Sequence, residues 1–92
     1  MPLQVKELVL DDWSVEELRR HQITARQVKH VQHNRYVLLR NKRRRRATHR
    51  LIGADDGGRI LTICIEPIRG GRWQVVTGWD STTGERTIYE RV

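Results

Sequence analysis

Residues 48–79 read THRLIGADDGGRILTICIEPIRGGRWQVVTGW, and this stretch decides the fold. Three runs rich in β-branched and aromatic residues, 48–53, 60–66 and 73–79, are divided by Ala54-Asp55-Asp56-Gly57-Gly58 and by Pro67-Ile68-Arg69-Gly70-Gly71. Both connectors offer glycines for positive φ, and the first adds aspartates that bond to their own backbone, which is hairpin chemistry. The spacing predicts a three-stranded antiparallel meander. By period two, Trp73, Val75 and Trp79 share one face of the last strand, and that face reads as core. Exposed, the two tryptophans would instead offer a base-stacking platform. The single cysteine, Cys64, lies inside an apolar run. It reads as a buried strand residue rather than a nucleophile. With no second cysteine there is no disulfide framework, which suits a cytosolic protein.

Upstream, two helix starts follow one grammar. Ser14 with Glu17 forms a capping box with Trp13 and Leu18 at staple positions, and Thr24 with Gln27 repeats it with Ile23 and Val28. Helices are expected over about 15–22 and 25–33, preceded by a short strand over 3–9. Tyr36-Val37-Leu38-Leu39 is either a further edge strand or part of a loop. Downstream, Thr82 and Glu85 could cap a last helix bearing Ile88 and Tyr89. Alternatively, Asp80–Gly84 is a turn before a strand at Arg86–Tyr89. Gly84 would cost a helix ~1 kcal/mol relative to Ala, so local propensity leans to the strand. Ninety-two residues make one domain over 1–92. The fold class is α+β, with two N-terminal helices and a meander.

The charge is unevenly placed. The chain carries +7, and between Arg19 and Arg50 there are twelve Lys or Arg, all four histidines and no Asp or Glu. The peak is Arg40-Asn41-Lys42-Arg43-Arg44-Arg45-Arg46. Such a block repels itself unless a polyanion or an acidic partner covers it. Fifteen of the eighteen basic residues are Arg, whose planar donor fork suits phosphate. Arg40, Lys42, Arg43, Arg44, Arg45 and Arg46, with Arg19 and Lys29 on outer helix faces, are the candidate nucleic-acid contacts. A solvated charge run is the plainer alternative. His21, His30 and His33 lack a Cys or carboxylate partner nearby in sequence, whereas zinc wants three or four ligands. Neither a metal nor a cofactor is expected. No apolar run approaches the ~20 residues of a membrane span.

Helix, helix, basic stretch, meander and a C-terminal Glu85…Tyr89 segment is an order that resembles the BrnT family of toxins, small members of the RelE-like ribonuclease class. The resemblance rests on His21-Gln22-Ile23-Thr24 with Val28, similar to that family's His-Gly-Val/Ile step between helices. It rests also on Arg50-Leu51-Ile52-Gly53, on Arg59-Ile60-Leu61-Thr62-Ile63 and on the Glu85…Tyr89 spacing, and it covers roughly residues 12–90. It implies a compact toxin that cuts mRNA, is silenced by a cognate antitoxin, and ends in a helix over 82–90. The chain departs from the family after the last strand, where Trp79-Asp80 replaces a basic residue and a carboxylate would repel a scissile phosphate.

Metal-independent RNA cleavage needs a base for the 2′-hydroxyl, cations for the phosphorane and an acid for the leaving oxygen. The class the chain resembles performs this with Arg, Lys, Tyr and, in some members, His. The corresponding set here is His49 as general base or acid, Arg50 and Arg86 as phosphorane clamps, and Tyr89 as proton donor or base stacker. The plainer reading has Tyr89 packed with Ile88 against the sheet and His49 on a solvated strand face. A non-catalytic nucleic-acid-binding module would use the same basic surface.

Overall fold

The computed structural model describes residues 4–41 and 47–91. The elements are β1 (Glu7–Val9), α1 (Asp12–Arg19), α2 (Ala25–His33), β2 (Tyr36–Arg40), β3 (His49–Ala54), β4 (Ile60–Arg69), β5 (Arg72–Asp80) and α3 (Thr83–Arg91). The basic run 42–46, with its candidate contacts Lys42 and Arg43–Arg46, lies outside the described residues.

The class is α+β, but the sheet is larger than the meander. β3, β4 and β5 pair antiparallel in chain order, as their turns predict. β2 adds an antiparallel strand beyond β3, and β1 adds a parallel one beyond β5. The result is a five-stranded mixed sheet in the order β1-β5-β4-β3-β2. The short strand expected over 3–9 and the strand alternative at Tyr36–Leu39 thus join the meander as its two edges, where the outer backbones of β5 and β3 offer them hydrogen-bond partners. β1 can be parallel to β5 because α1 and α2 carry the chain across one face of the sheet before β2 begins.

That face holds the main core. Leu18, Val28 and Val31 from the helices meet Leu51, Leu61, Ile63, Ile65 and Val75 from the sheet, all fully buried. Gly78 admits Leu18 by lacking a side chain, since a Cβ there would stand 2.9 Å from Leu18 Cδ2. The opposite face carries a smaller cluster, Ala47, Cys64 and Val76 with Trp79 packed on it, and is covered by α3. Trp73 and Trp79 therefore lie on opposite faces, against expectation. Cys64 pairs with Thr77 but Ile65 pairs with Val75, so Val76 is an extra residue that shifts the alternation between the two tryptophans.

α1 starts earlier than expected. Its N-cap is Asp11, whose carboxylate accepts from Ser14 N at 2.7 Å, while Ser14 Oγ accepts from Asp11 N at 2.9 Å. Ser14 thus closes the box rather than opening it, and a charged cap is also favoured by the helix dipole. Trp13 becomes a first-turn residue, 53% exposed, and not the staple of Leu18. The Thr24–Gln27 box forms as read. The turn after α1 passes through Gln22 at φ 59°, with Ile23 N donating to Leu18 O at 3.0 Å. A non-glycine residue there is strained, and Arg59 braces it by donating to the carbonyls of Gln22 and His21 at 2.6 and 3.0 Å.

Candidate nucleic-acid interface

The hairpin that launches the basic run is well closed. Asn41 N donates to Thr48 O and Asn41 Nδ2 to Ala47 O, both at 2.8 Å. Arg40 sits opposite His49 as the last pair of β2 and β3. The same end of the sheet carries the β4–β5 hairpin, with Arg69 and Arg72 exposed and Arg72 Nε donating to Glu7 at 3.0 Å. The far end is acidic: Asp55 and Asp56 form the β3–β4 turn, and Asp80 ends β5. The two ends are separated by the length of β3, about 17 Å at ~3.3 Å per residue.

Not all the predicted contacts gather at the basic end. Arg19 lies on α1 near the acidic end, 3.6 Å from Glu16 in an exposed pair. Lys29 reaches Leu8 O at 3.4 Å on the helix-covered face. Only Arg40, among the described candidates, stands at the Asn41-closed end of β2 and β3.

The four candidate catalytic residues are divided by the alternation of β3. His49 points to the helix-covered face, edge-on to Trp73 with ring centroids 5.0 Å apart, and its Nδ1 lies 2.8 Å from Thr48 Oγ1. Burial, reinforced by the Arg40 charge, pushes its pKa below the usual histidine value, so the neutral imidazole is favoured. Arg50, the next residue, points to the α3 face. Its Nη1 donates to Glu85 Oε2 at 2.8 Å. Tyr89 lies on α3 beneath Arg35, whose guanidinium carbon is 4.1 Å from the ring centroid. Arg35 Nη2 donates to Tyr89 O at 3.0 Å, and Tyr89 OH donates to Arg35 O at 3.4 Å. Arg86 is exposed on the first turn of α3. Arg50, Arg86 and Tyr89 are therefore associated with α3, and His49 is not.

Three participants escaped the sequence reading. Glu85 was visible only as a cap, yet its side chain is 6% exposed and takes Arg50. It also accepts from Trp79 Nε1 at 3.0 Å and Thr82 N at 2.9 Å. Burial alone would raise its pKa, but the Thr82 amide, the Trp79 indole, the Thr62 hydroxyl and the Arg50 guanidinium outweigh that and hold it low. Arg35 was one base among twelve. Arg59 neutralises Asp80 through a two-pronged contact at 2.6 and 3.1 Å, which removes much of the repulsion anticipated at Trp79-Asp80.

The chain matches no protein-family model and no curated protein. Among the described residues, no group of three or more His, Cys, Asp or Glu could hold a metal ion. No helix among them is long and apolar enough to cross a membrane.

The depressed carboxyls set an acid limit. Asp80 is lowered chiefly by its Arg59 hydrogen bond, and Glu85 as above. When pH falls, the unfolded chain takes protons at these positions first, near the ordinary values of 3.8 and 4.5. The stability they supply is complete above that range and lost as pH falls through their folded values. Melting temperature followed by circular dichroism should be flat from neutral pH down to about pH 5 as far as these carboxyls are concerned and fall steeply below it. In Glu85→Gln the acid limb should be shallower; an unchanged limb would mean that Glu85 carries no linkage.

Proposed function

We propose that this protein is a cytoplasmic, metal-independent ribonuclease toxin of the BrnT and RelE-like kind, acting on mRNA and neutralised by a cognate antitoxin. The toxin class comes from the sequence resemblance, and the order of helices, sheet and capped final helix is compatible with it. The observation that carries RNA as the partner is the Asn41-closed hairpin. It closes β2 and β3 at the end of the sheet where Arg40, Arg69 and Arg72 are exposed, and the acid-free run 42–46 follows Asn41 in the sequence. Phosphate contacts supply affinity there without reading sequence. On the α3 side, Arg50 and Arg86 would stabilise the phosphorane and Tyr89 would protonate the leaving oxygen. His49 would need the RNA to pass around the sheet end to reach the same phosphate.

A second reading, binding without cleavage, is favoured by one observation: Arg50 is already neutralised by Glu85 and is separated from His49 by the sheet. Cleavage of RNA in excess EDTA separates the two. A nuclease should lose cutting in Tyr89→Phe and Arg86→Ala while still binding. A binder should not cut at all and should keep its affinity in both.

Under either reading, replacing Arg43–Arg46 by Ser should weaken RNA binding at ~100 mM salt at least tenfold. The log–log salt slope should flatten by about 3, as four phosphate contacts to a single strand would require. Unchanged affinity would remove the basic run from the function.

A further inference from the structure

On the α3 face, four donors from three elements converge on one carboxylate. Arg50 Nη1 from β3, Trp79 Nε1 from β5 and Thr82 N before α3 all bond Glu85 within 3.0 Å. The Thr62 hydroxyl on β4 adds to the same field. Such a set holds any oxyanion. Glu85 does not satisfy it fully, because Arg50 Nε is buried with no acceptor among the described residues, and a buried donor without an acceptor is costly. The site is not sealed, since the Arg50 side chain is 29% exposed.

Little else pins Glu85 in place. It is the one buried residue of α3, and Ile88, the apolar residue of that helix, is 39% exposed. The helix is held by polar contacts, Glu85 at one end and the Arg35–Tyr89 stack at the other.

We propose that Arg50, Trp79 and the Thr82 amide before α3 form an oxyanion site for a phosphodiester of bound RNA, filled in the unliganded protein by its own Glu85 carboxylate. RNA as the ligand rests on the function proposed above; the existence of the site does not. A phosphodiester offers two charged oxygens in place of the carboxylate's two, and its tetrahedral geometry lets one of them reach the unpaired Arg50 Nε. Glu85 then turns outward and loosens the first turn of α3. Glu85 acts as an internal anion that keeps the site from binding phosphate indiscriminately, so entry requires an RNA already gathered at Arg40, Arg69 and Arg72.

The full-length chain tests this with Glu85→Gln, which keeps the capping box but removes the charge, and with Glu85→Gln combined with Arg50→Met, an uncharged pair of similar bulk. Glu85→Gln should bind single-stranded RNA at least about threefold tighter than wild type, with a salt slope steeper by about 0.7 for one added phosphate contact. Inorganic phosphate should raise its melting temperature more than it raises that of wild type, and the double variant should lose both increments. Equal RNA affinity and equal phosphate response in wild type and Glu85→Gln would overturn the site. A phosphate response without RNA binding by any variant would uphold the anion site and overturn RNA as its ligand. If Glu85→Gln does not fold, the Trp79 indole N–H resonance of wild type decides: it should shift when single-stranded RNA binds, and a resonance unmoved in RNA-saturated protein overturns the proposal.

Discussion

Leu18→Ala is expected to cost the fold about 3–4 kcal/mol, in the upper half of the range for a fully buried leucine. Leu18 is 0% exposed and lies against the bare backbone of Gly78. A Cβ at Gly78 would meet Leu18 Cδ2 at 2.9 Å, Ile63 Cδ1 at 3.0 Å and Thr62 O at 3.0 Å. The cavity left by truncation is floored by two central strands, which cannot collapse into it. α1 has only Ser14 and Leu18 fully buried, so the loss also loosens its hold on β5. For a chain this small, whose total stability is on the order of 5–10 kcal/mol, that is near half. Urea melts followed by tryptophan fluorescence should show a lower midpoint with unchanged slope. Gly78→Ala should itself cost about 1–3 kcal/mol by overpacking. Combined with Leu18→Ala it should cost less than the sum, because the added methyl occupies the vacated space. Strict additivity would show that the two do not share a cavity.

Arg50→Ala is expected to cost about 2–3 kcal/mol at neutral pH. Removing one partner of a buried pair leaves the other charge without compensation, for which ~3–5 kcal/mol is usual. Partial exposure of Arg50 and the Trp79 and Thr82 hydrogen bonds that remain on Glu85 reduce it. Adding Glu85→Gln should recover part of the loss, since the stranded charge is then gone. The deficit of Arg50→Ala should also shrink in acid, where Glu85 becomes neutral in both proteins. A deficit independent of pH would place the cost in packing of the Arg50 stem rather than in its charge.

The meander was legible because hairpins are local. Glycines 57, 58, 70 and 71 announce turns without reference to the rest of the chain, and three of them take positive φ. The Thr24 cap was legible for the same reason, whereas at Thr82 local propensity leaned to a strand and the chain forms α3 instead. Asp11 was passed over because Ser14 offers an equally good cap pattern three residues on, and only the burial of Ser14 distinguishes them. The Trp73–Trp79 alternation failed on a single extra residue, Val76, which no local rule marks as a bulge. The site fared worse. His49 and Arg50 were grouped by residue type under the resemblance, whereas a pleated strand sends these neighbours to opposite faces.

The sequence by itself determined what depends on short range and on totals: the α+β class, the turns, the Thr24 cap, and a basic middle third flanked by acid-balanced ends. Only the tertiary structure decided which edge β1 joins, that Arg59 braces Gln22 and neutralises Asp80, and that Glu85 is the partner of Arg50. These are contacts across 35 or more residues for Arg50–Glu85 and Arg59–Gln22. Their partners are chosen by which faces the packed core leaves adjacent, and a charge in a linear sequence carries no mark of the face it will occupy.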